Sequence, residues 1–200
     1  MRDLLSGVAY LHANGIIHRD IKMENIKFSR ANIFDNVKLI DFGSADAHPV
    51  GSGILHYELA GSPYYASPEM LDGKGYTEKT DVWSCGIVFY HLLVGSFPFD
   101  AKTDLEVLHK VQCREVNFIG DKFRNFNHLT LKLLKGMLIK DPSQRMSAIE
   151  ARTNAFFKYD ELEVEIIKEG LTNCANFLKY GQVQRGIMRL YVDKLQIKRE

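Results

Sequence analysis

The residues best suited to chemistry sit in one stretch, His18-Arg19-Asp20-Ile21-Lys22-Met23-Glu24-Asn25, followed sixteen residues after Asn25 by Asp41-Phe42-Gly43. Phosphoryl transfer needs a base beside the attacking hydroxyl and hard oxygen ligands for the divalent cations that neutralise the phosphates. Asp20 can supply the base, and Asn25 and Asp41 the cation ligands.

These groups act together only if the chain between them folds back. The runs Ile26 to Phe28 and Val37 to Ile40 alternate as short strands, with a polar turn expected around Asp35-Asn36. The resulting hairpin carries Asn25 at one end and Asp41 at the other. Upstream, Leu4, Leu5, Val8, Leu11 and His12 share one helical face, so the pattern predicts a helix over residues 2–13 stopped by Asn14-Gly15. Ile16-Ile17 then runs extended into His18.

Residues 44–66 have no clear period, and a loop of that length in a compact domain points to function. Ser67-Pro68-Glu69 reads as an N-cap, a first-turn proline and an acid opening a short helix. From Thr80 to about Val94 the chain is apolar on every side, which predicts a buried central helix with Asp81 at its start and Gly95 past its end. Thr103-Asp104-Leu105-Glu106 and Ser147-Ala148-Ile149-Glu150 read as capping boxes, and another helix is expected over 128–139, before Asp141-Pro142. Trp83 and its apolar neighbours read as core rather than as a cofactor box.

Two hundred residues with 46% hydrophobic and 26% charged content suit one soluble globular domain, or one large lobe and a tail. A net charge of +1 excludes a global pull toward nucleic acid or anionic membrane. Cys85, Cys113 and Cys174 form no C-x-x-C pair and read as reduced thiols of a cytoplasmic protein, nuclear residence being compatible. The apolar run from Cys85 to Gly95 is too short to span a bilayer, and Met1-Arg2-Asp3 leads straight into a helix without a signal peptide or myristoylation start. So abrupt an opening is also what a chain beginning inside a domain would show. Apart from His18, the histidines read as structural, with no zinc-ligand spacing.

The tail changes character. Residues 160–169 are acid-rich, whereas residues 176–200 hold six Lys or Arg against two acids, interleaved with Phe177, Val183, Ile187, Leu190, Tyr191 and Leu195. Such a basic amphipathic helix either docks into a hydrophobic groove or packs as a solvated helix.

His18-Arg19-Asp20 with Asn25, Asp41-Phe42-Gly43, Ser67-Pro68-Glu69 and Asp81-Val82-Trp83-Ser84-Cys85-Gly86 together resemble the C-terminal lobe of a eukaryotic protein kinase, in order from Met1 to about Phe157. Lys22 and Gly61-Ser62-Pro63-Tyr64-Tyr65 are similar to the serine/threonine version, and the latter segment with Glu58 is similar to calcium-dependent and calmodulin-dependent kinases. The resemblance implies a mostly α fold: a kinase C-lobe over 1–157 with a small β-hairpin carrying the catalytic and metal residues, the N-terminal β lobe being absent. Residues 158–200 would be a helical tail. Their 171–200 part is similar to the junction after the kinase domain of calcium-dependent kinases, which implies an autoinhibitory role and a calmodulin-like or EF-hand partner.

By the same resemblance, Asp20 would accept the proton of a substrate Ser or Thr hydroxyl. Lys22 would offset charge on the phosphoryl group of ATP, and Ser62 would hydrogen-bond into the same cluster. Asn25 and Asp41 would hold two Mg²⁺, and Glu24 would meet a basic residue of a protein substrate. Glu69 would pair with Arg145, Asp81 would anchor the catalytic loop, and His18 would pack with Phe42 beside Gly43. Arg19, which in such kinases meets an activation-loop phosphate, would here pair with Glu58 and make loop phosphorylation unnecessary.

Departures from the pattern are as informative. Lys27 stands where the family usually places an apolar residue under the adenine ring, and its alkyl stem could serve there with the ammonium in water. Ser67 replaces an alanine, His91 stands where some basic-directed kinases carry an acid, and Asn154-Ala155-Phe156 replaces a His-Pro-Trp. No glycine-rich phosphate loop or Val-Ala-Ile-Lys strand precedes His18, Gly51-Ser52-Gly53 reads as loop, and no EF-hand loop is present. Two readings follow: a serine/threonine kinase represented by one lobe, or a non-catalytic kinase-lobe module that acts through binding.

Overall fold

The computed structural model describes residues 1–30, 33–51, 55–124 and 126–158. Helix α1 (Arg2–Ala13) leads into the two-residue strand β1 (Ile16–Ile17), and a 3₁₀ turn, Met23–Asn25, precedes strands β2 (Ile26–Arg30) and β3 (Ile33–Leu39). Strand β4 (Asp46–Ala47) follows, then a 3₁₀ turn at Pro63–Tyr65 and helices α2 (Pro68–Leu71), α3 (Lys79–Val94), α4 (Asp104–Cys113), α5 (His128–Met137) and α6 (Ala148–Arg152). The expected tail helix, its groove and its docking partner fall on residues outside those described, as does Cys174.

The fold is mostly helical and is organised around α3. Fourteen of its residues are buried, from Thr80 to Val94, because an all-apolar helix has no face for water and must be surrounded. Helix α1 presents Leu4, Leu5 and Val8, all almost fully buried, to that core, while α5 contributes Leu133, Leu134 and Met137. Burying each such side chain stabilises the fold by about 1.5–3 kcal/mol. Gly95 ends α3 in the left-handed region at φ +74, its N–H donating to the His91 carbonyl at 2.8 Å.

The hairpin forms with its turn displaced from the expected place. Ile26 pairs with Leu39, Phe28 with Val37 and Arg30 with Ile33, with a register irregularity between Phe28 and Arg30. Asp35 and Asn36 therefore lie inside β3. Ile33 and Phe34 are strong strand formers, and ladder pairing prolongs the strand through two polar residues that in isolation favour a turn. The stretch 44–66 is also less bare than its aperiodicity suggests: β4 pairs antiparallel with β1, Ile16 with Ala47 and Ile17 with Asp46, and His56 bridges to Tyr76.

Both capping motifs begin helices, but only one is reciprocal. Ser147 and Glu150 exchange bonds as a full capping box. Thr103 accepts from Glu106 N–H, whereas the Glu106 carboxylate takes the amide of Lys102 instead. Ser67 opens α2 without capping it, because its hydroxyl is bonded to Thr80 at 2.7 Å and so ties α2 to α3. Helix α5 ends at Met137, two residues short of the expected end, with the Leu138 N–H shared between Leu134 and Lys135 carbonyls.

Candidate active site

The segment from His18 to Asn25 is too polar to hold its own shape, and the neighbouring helices supply the restraint. Asp81, fully buried in the first turn of α3, accepts the His18 amide at 2.8 Å and the Arg19 amide at 2.9 Å, one on each carboxylate oxygen. His12 on α1 meets the same carboxylate at 2.9 Å. These bonds hold Arg19 at φ +66, a conformation costly for a side chain of its kind, and Asp41 also lies at positive φ, +64. His18, fully buried, joins the residues next to these two, Asp20 and Ile40. The Asp20 amide donates to His18 Nδ1 at 3.3 Å, so Nε2 carries the hydrogen and donates to the Ile40 carbonyl at 3.3 Å. Its ring stands edge-on to Phe42, with centroids 4.9 Å apart.

Both oxygens of Asp20 are engaged. Ser62 Oγ donates to Oδ1 at 3.1 Å, while Lys22 Nζ and Asn25 Nδ2 donate to Oδ2 at 2.7 and 3.2 Å. Lys22 also donates to Ser62 Oγ at 3.0 Å, closing a triangle of base, cation and hydroxyl. A carboxylate fixed by three donors has few rotamers left to lose.

Asn25 is buried and gives its second N–H bond to the Asp20 carbonyl at 2.9 Å. Its carboxamide oxygen is thus left without a protein donor among the described residues. The Asn25 carbonyl accepts from Ile40 N–H at 2.9 Å, which sets Asp41 beside it at the end of the hairpin. Asp41 is exposed, and one of its oxygens accepts from Gly43 N–H at 3.2 Å. Among the described residues no three His, Cys, Asp or Glu side chains converge as a self-sufficient metal cage. One carboxylate and one carboxamide oxygen fit Mg²⁺, which keeps its waters and takes the rest of its ligands from phosphate. Glu24 stands exposed on the Met23–Asn25 turn, and Lys27 lies half-buried in β2.

Farther out, Glu69 and Arg145 form a buried bidentate pair at 2.5 and 2.8 Å. Arg19 departs from expectation. Its guanidinium meets Asp46 at 3.2 Å, the Ser44 carbonyl at 2.6 Å and the Tyr76 hydroxyl at 3.4 Å. Glu58, exposed, offers only its backbone carbonyl, to Tyr76 at 2.7 Å. Asp46 wins because the pairing of β4 with β1 carries it to the start of the loop, whereas Glu58 reaches Arg19 only through the Tyr76 hydroxyl that both meet.

Several residues at the site escaped the sequence reading. His12 occupies the apolar face of α1, and a polar residue there signals a buried partner. Gly61, at φ +82, lies so near the loop that a β-carbon would fall 2.4 Å from the Arg19 carbonyl. Asp46, His48 and His56 form a linked polar group, taken up below.

Comparison with known proteins agrees with this geometry. The protein kinase domain model matches residues 1–157. The chain is 32% identical over 197 residues to calcium-dependent protein kinase 4 of Plasmodium falciparum, covering 92% of this chain and 35% of that protein. It is 34% identical over 197 residues to calcium-dependent protein kinase 3 of Plasmodium berghei, covering 95% and 35%. The chain thus spans about a third of the length of these relatives. With its helical, C-lobe-like fold and the His18-to-Asn25 loop posed against Asp41, the chain belongs to the protein kinase family.

Proposed function

We propose that the chain carries the substrate-side half of a serine/threonine protein kinase, in which Asp20 takes the proton of a Ser or Thr hydroxyl as the γ-phosphoryl group of ATP is transferred. The observation that carries this reading is the triangle of Asp20, Lys22 and Ser62, since a lysine shared between base and hydroxyl belongs where negative charge moves. Mg²⁺, when bound, neutralises the phosphates. Asn25 and Asp41 supply its protein oxygens, Asp20 orients the acceptor, and exposed Glu24 favours substrates with a nearby Arg or Lys. The relatives' names, calcium-dependent protein kinases, extend the proposal to calcium control through the 171–200 tail and an EF-hand or calmodulin-like partner. Cytoplasmic or nuclear residence completes it; among the described residues no helix is long and apolar enough to cross a membrane.

Ile40 and Phe42 flank Asp41 with 39% and 48% of their surface exposed, which favours a second reading in which this face binds a protein rather than processing ATP. A titration of the chain with ATP, with and without Mg²⁺, followed by transfer to Ser- and Thr-containing basic peptides, separates the two. The kinase reading expects Mg²⁺-dependent nucleotide binding that Asp41→Asn weakens, and transfer that Asp20→Asn lowers by about 10²-fold or more. Transfer indifferent to Asp20→Asn would sink it.

A further inference from the structure

Behind Arg19 runs a line of titratable groups that the proposed chemistry does not use. Asp46 Oδ2 lies 3.2 Å from Arg19 and 3.3 Å from His56 Nδ1, while its Oδ1 accepts from Ala47 N–H at 2.8 Å. His56 Nε2 and His48 Nδ1 share a hydrogen bond of 3.2 Å, and His48 Nε2 lies 2.8 Å from Glu78 Oε2 at the start of α3. Both histidines are buried. The His56 ring stacks on Tyr76, centroids 5.6 Å apart, and their backbones exchange two bonds of 2.9 Å. The His48 amide donates to the Gly15 carbonyl at 2.7 Å. The charged and titratable groups facing the pair are therefore Asp46, Arg19, Tyr76 and, beyond it, Glu58 on one side, and Glu78 on the other.

Counting protons along this line gives a definite answer. A neutral imidazole has one N–H and one bare nitrogen. Each outer ring nitrogen faces a carboxylate oxygen, where a bare lone pair would repel, so each carries a hydrogen. The inner nitrogen-to-nitrogen bond needs a third. Three protons on four nitrogens are one more than two neutral rings hold, so the pair bears one positive charge between two carboxylates. With Arg19 the group is charge-balanced.

We propose that Asp46 is a positioning residue for the catalytic loop: it is the resident anion that poses Arg19, and a His48–His56 pair sharing one extra proton holds it there, so no phosphoryl group is needed to set the loop. The proposal rests on the kinase reading of Asp20 for its significance, though not for its geometry. A second extra proton would oppose two N–H groups, and loss of the shared one would oppose two lone pairs. The latch is therefore complete only with one extra proton on the pair. Desolvation, with the charges of His48 and Arg19, acts against charge on His56 and holds it below its ordinary value, while the charge of Asp46 acts for it.

The test is nitrogen NMR of the whole chain labelled in His and Arg, without nucleotide. The two rings are expected to report three protons between them. Asp46→Asn should make the Arg19 guanidinium protons exchange about tenfold faster and let added inorganic phosphate shift the Arg19 signals, with Asp46→Glu restoring the wild-type behaviour. His56→Gln, which keeps polar atoms but cannot titrate, should abolish the pH dependence of the Arg19 signals. Two independent rings with one proton each, or Arg19 signals indifferent to Asp46→Asn and phosphate, would overturn the proposal. So would a wild-type pH profile in His56→Gln. A chain that passes these tests and transfers no phosphoryl group from Mg²⁺-ATP would defeat the kinase reading alone.

Discussion

Asp81 accepts the backbone amides of His18 and Arg19, one on each oxygen of a carboxylate fully shielded from water. The relationship makes the His18-to-Asn25 loop an appendage of the central helix: α3 is fixed by the core, Asp81 by α3, and the loop by Asp81. Each amide is a donor that would otherwise be buried unpaired, and bonds to an ionised acceptor are the strong ones.

Asp81→Asn tests this directly. A carboxamide keeps one acceptor and turns an N–H toward the second amide, so one bond becomes a donor-to-donor clash. The expected cost is about 2–4 kcal/mol in urea unfolding, with faster hydrogen exchange at His18 and Arg19. His12→Gln should cost less, and the two should be non-additive because both act on one carboxylate. Additive effects would show that His12 is a bystander.

Gly61 supplies a second test, with its own control. Gly61 and Gly73 both have positive φ, +82 and +65, so alanine at either carries a conformational cost of about 1–2 kcal/mol. Only at Gly61 would the added β-carbon also strike backbone, 2.4 Å from the Arg19 carbonyl; at Gly73 it meets open space. Gly61→Ala should therefore lower the melting temperature further than Gly73→Ala and alone perturb the NMR signals of residues 18–22. Equal effects would mean that the loop yields freely at Arg19.

Much of this was legible because the elements that place the site obey strong local rules. The buried run from Thr80 to Val94, the face of α1 and the Ser147 capping box are patterns of spacing, and the side chains of the candidate site are marked by type as well as spacing. Contacts that bridge distant segments were not legible. Asp35 and Asn36 read as a turn because their intrinsic preference is visible and the pairing that overrides it is not. Arg19 was matched with Glu58 because a resemblance supplied the partner, whereas the pairing of Ile17 with Asp46, which decides it, has no signature in a two-residue strand. His48 and His56 looked inert singly and gain meaning only once the fold sets them 3.2 Å apart.

The Glu69–Arg145 pair should behave as a structural clamp. All five guanidinium N–H groups have acceptors: two go to Glu69, and the others to the carbonyls of Ile139, Lys79 and Lys140 at 2.8, 2.8 and 3.0 Å. The guanidinium also lies over Trp83, 5.1 Å from the ring centre. Glu69→Gln should cost about 3–5 kcal/mol, because it leaves a buried cation uncompensated. The double variant Glu69→Gln/Arg145→Met should cost less than the sum of its singles. Urea titrations measure both; a Glu69→Gln cost under about 1 kcal/mol would contradict the clamp.

Acid should unfold the chain in two stages, and the signs follow from the groups concerned. His91, desolvated inside the core, has its value lowered from 6.5. Below pH 6.5 the unfolded chain takes up this proton first, so the stability that His91 contributes is full above that value and falls as the pH drops toward the folded one. A second loss begins below about pH 4.5. The Ser147 amide lowers Glu150 from 4.5, the Ser143 hydroxyl lowers Asp141 from 3.8, and the Ala47 amide lowers Asp46 from 3.8. Each of these contributes stability present above its ordinary value and lost as pH falls through the lower folded one. Melting temperatures from pH 8 to 3 should show both stages. His91→Phe, which can stack on Phe97 as the imidazole does at 4.5 Å, should reduce the first stage only. Glu150→Gln should reduce the second only. A first stage untouched by His91→Phe would place the proton uptake elsewhere and refute the assignment.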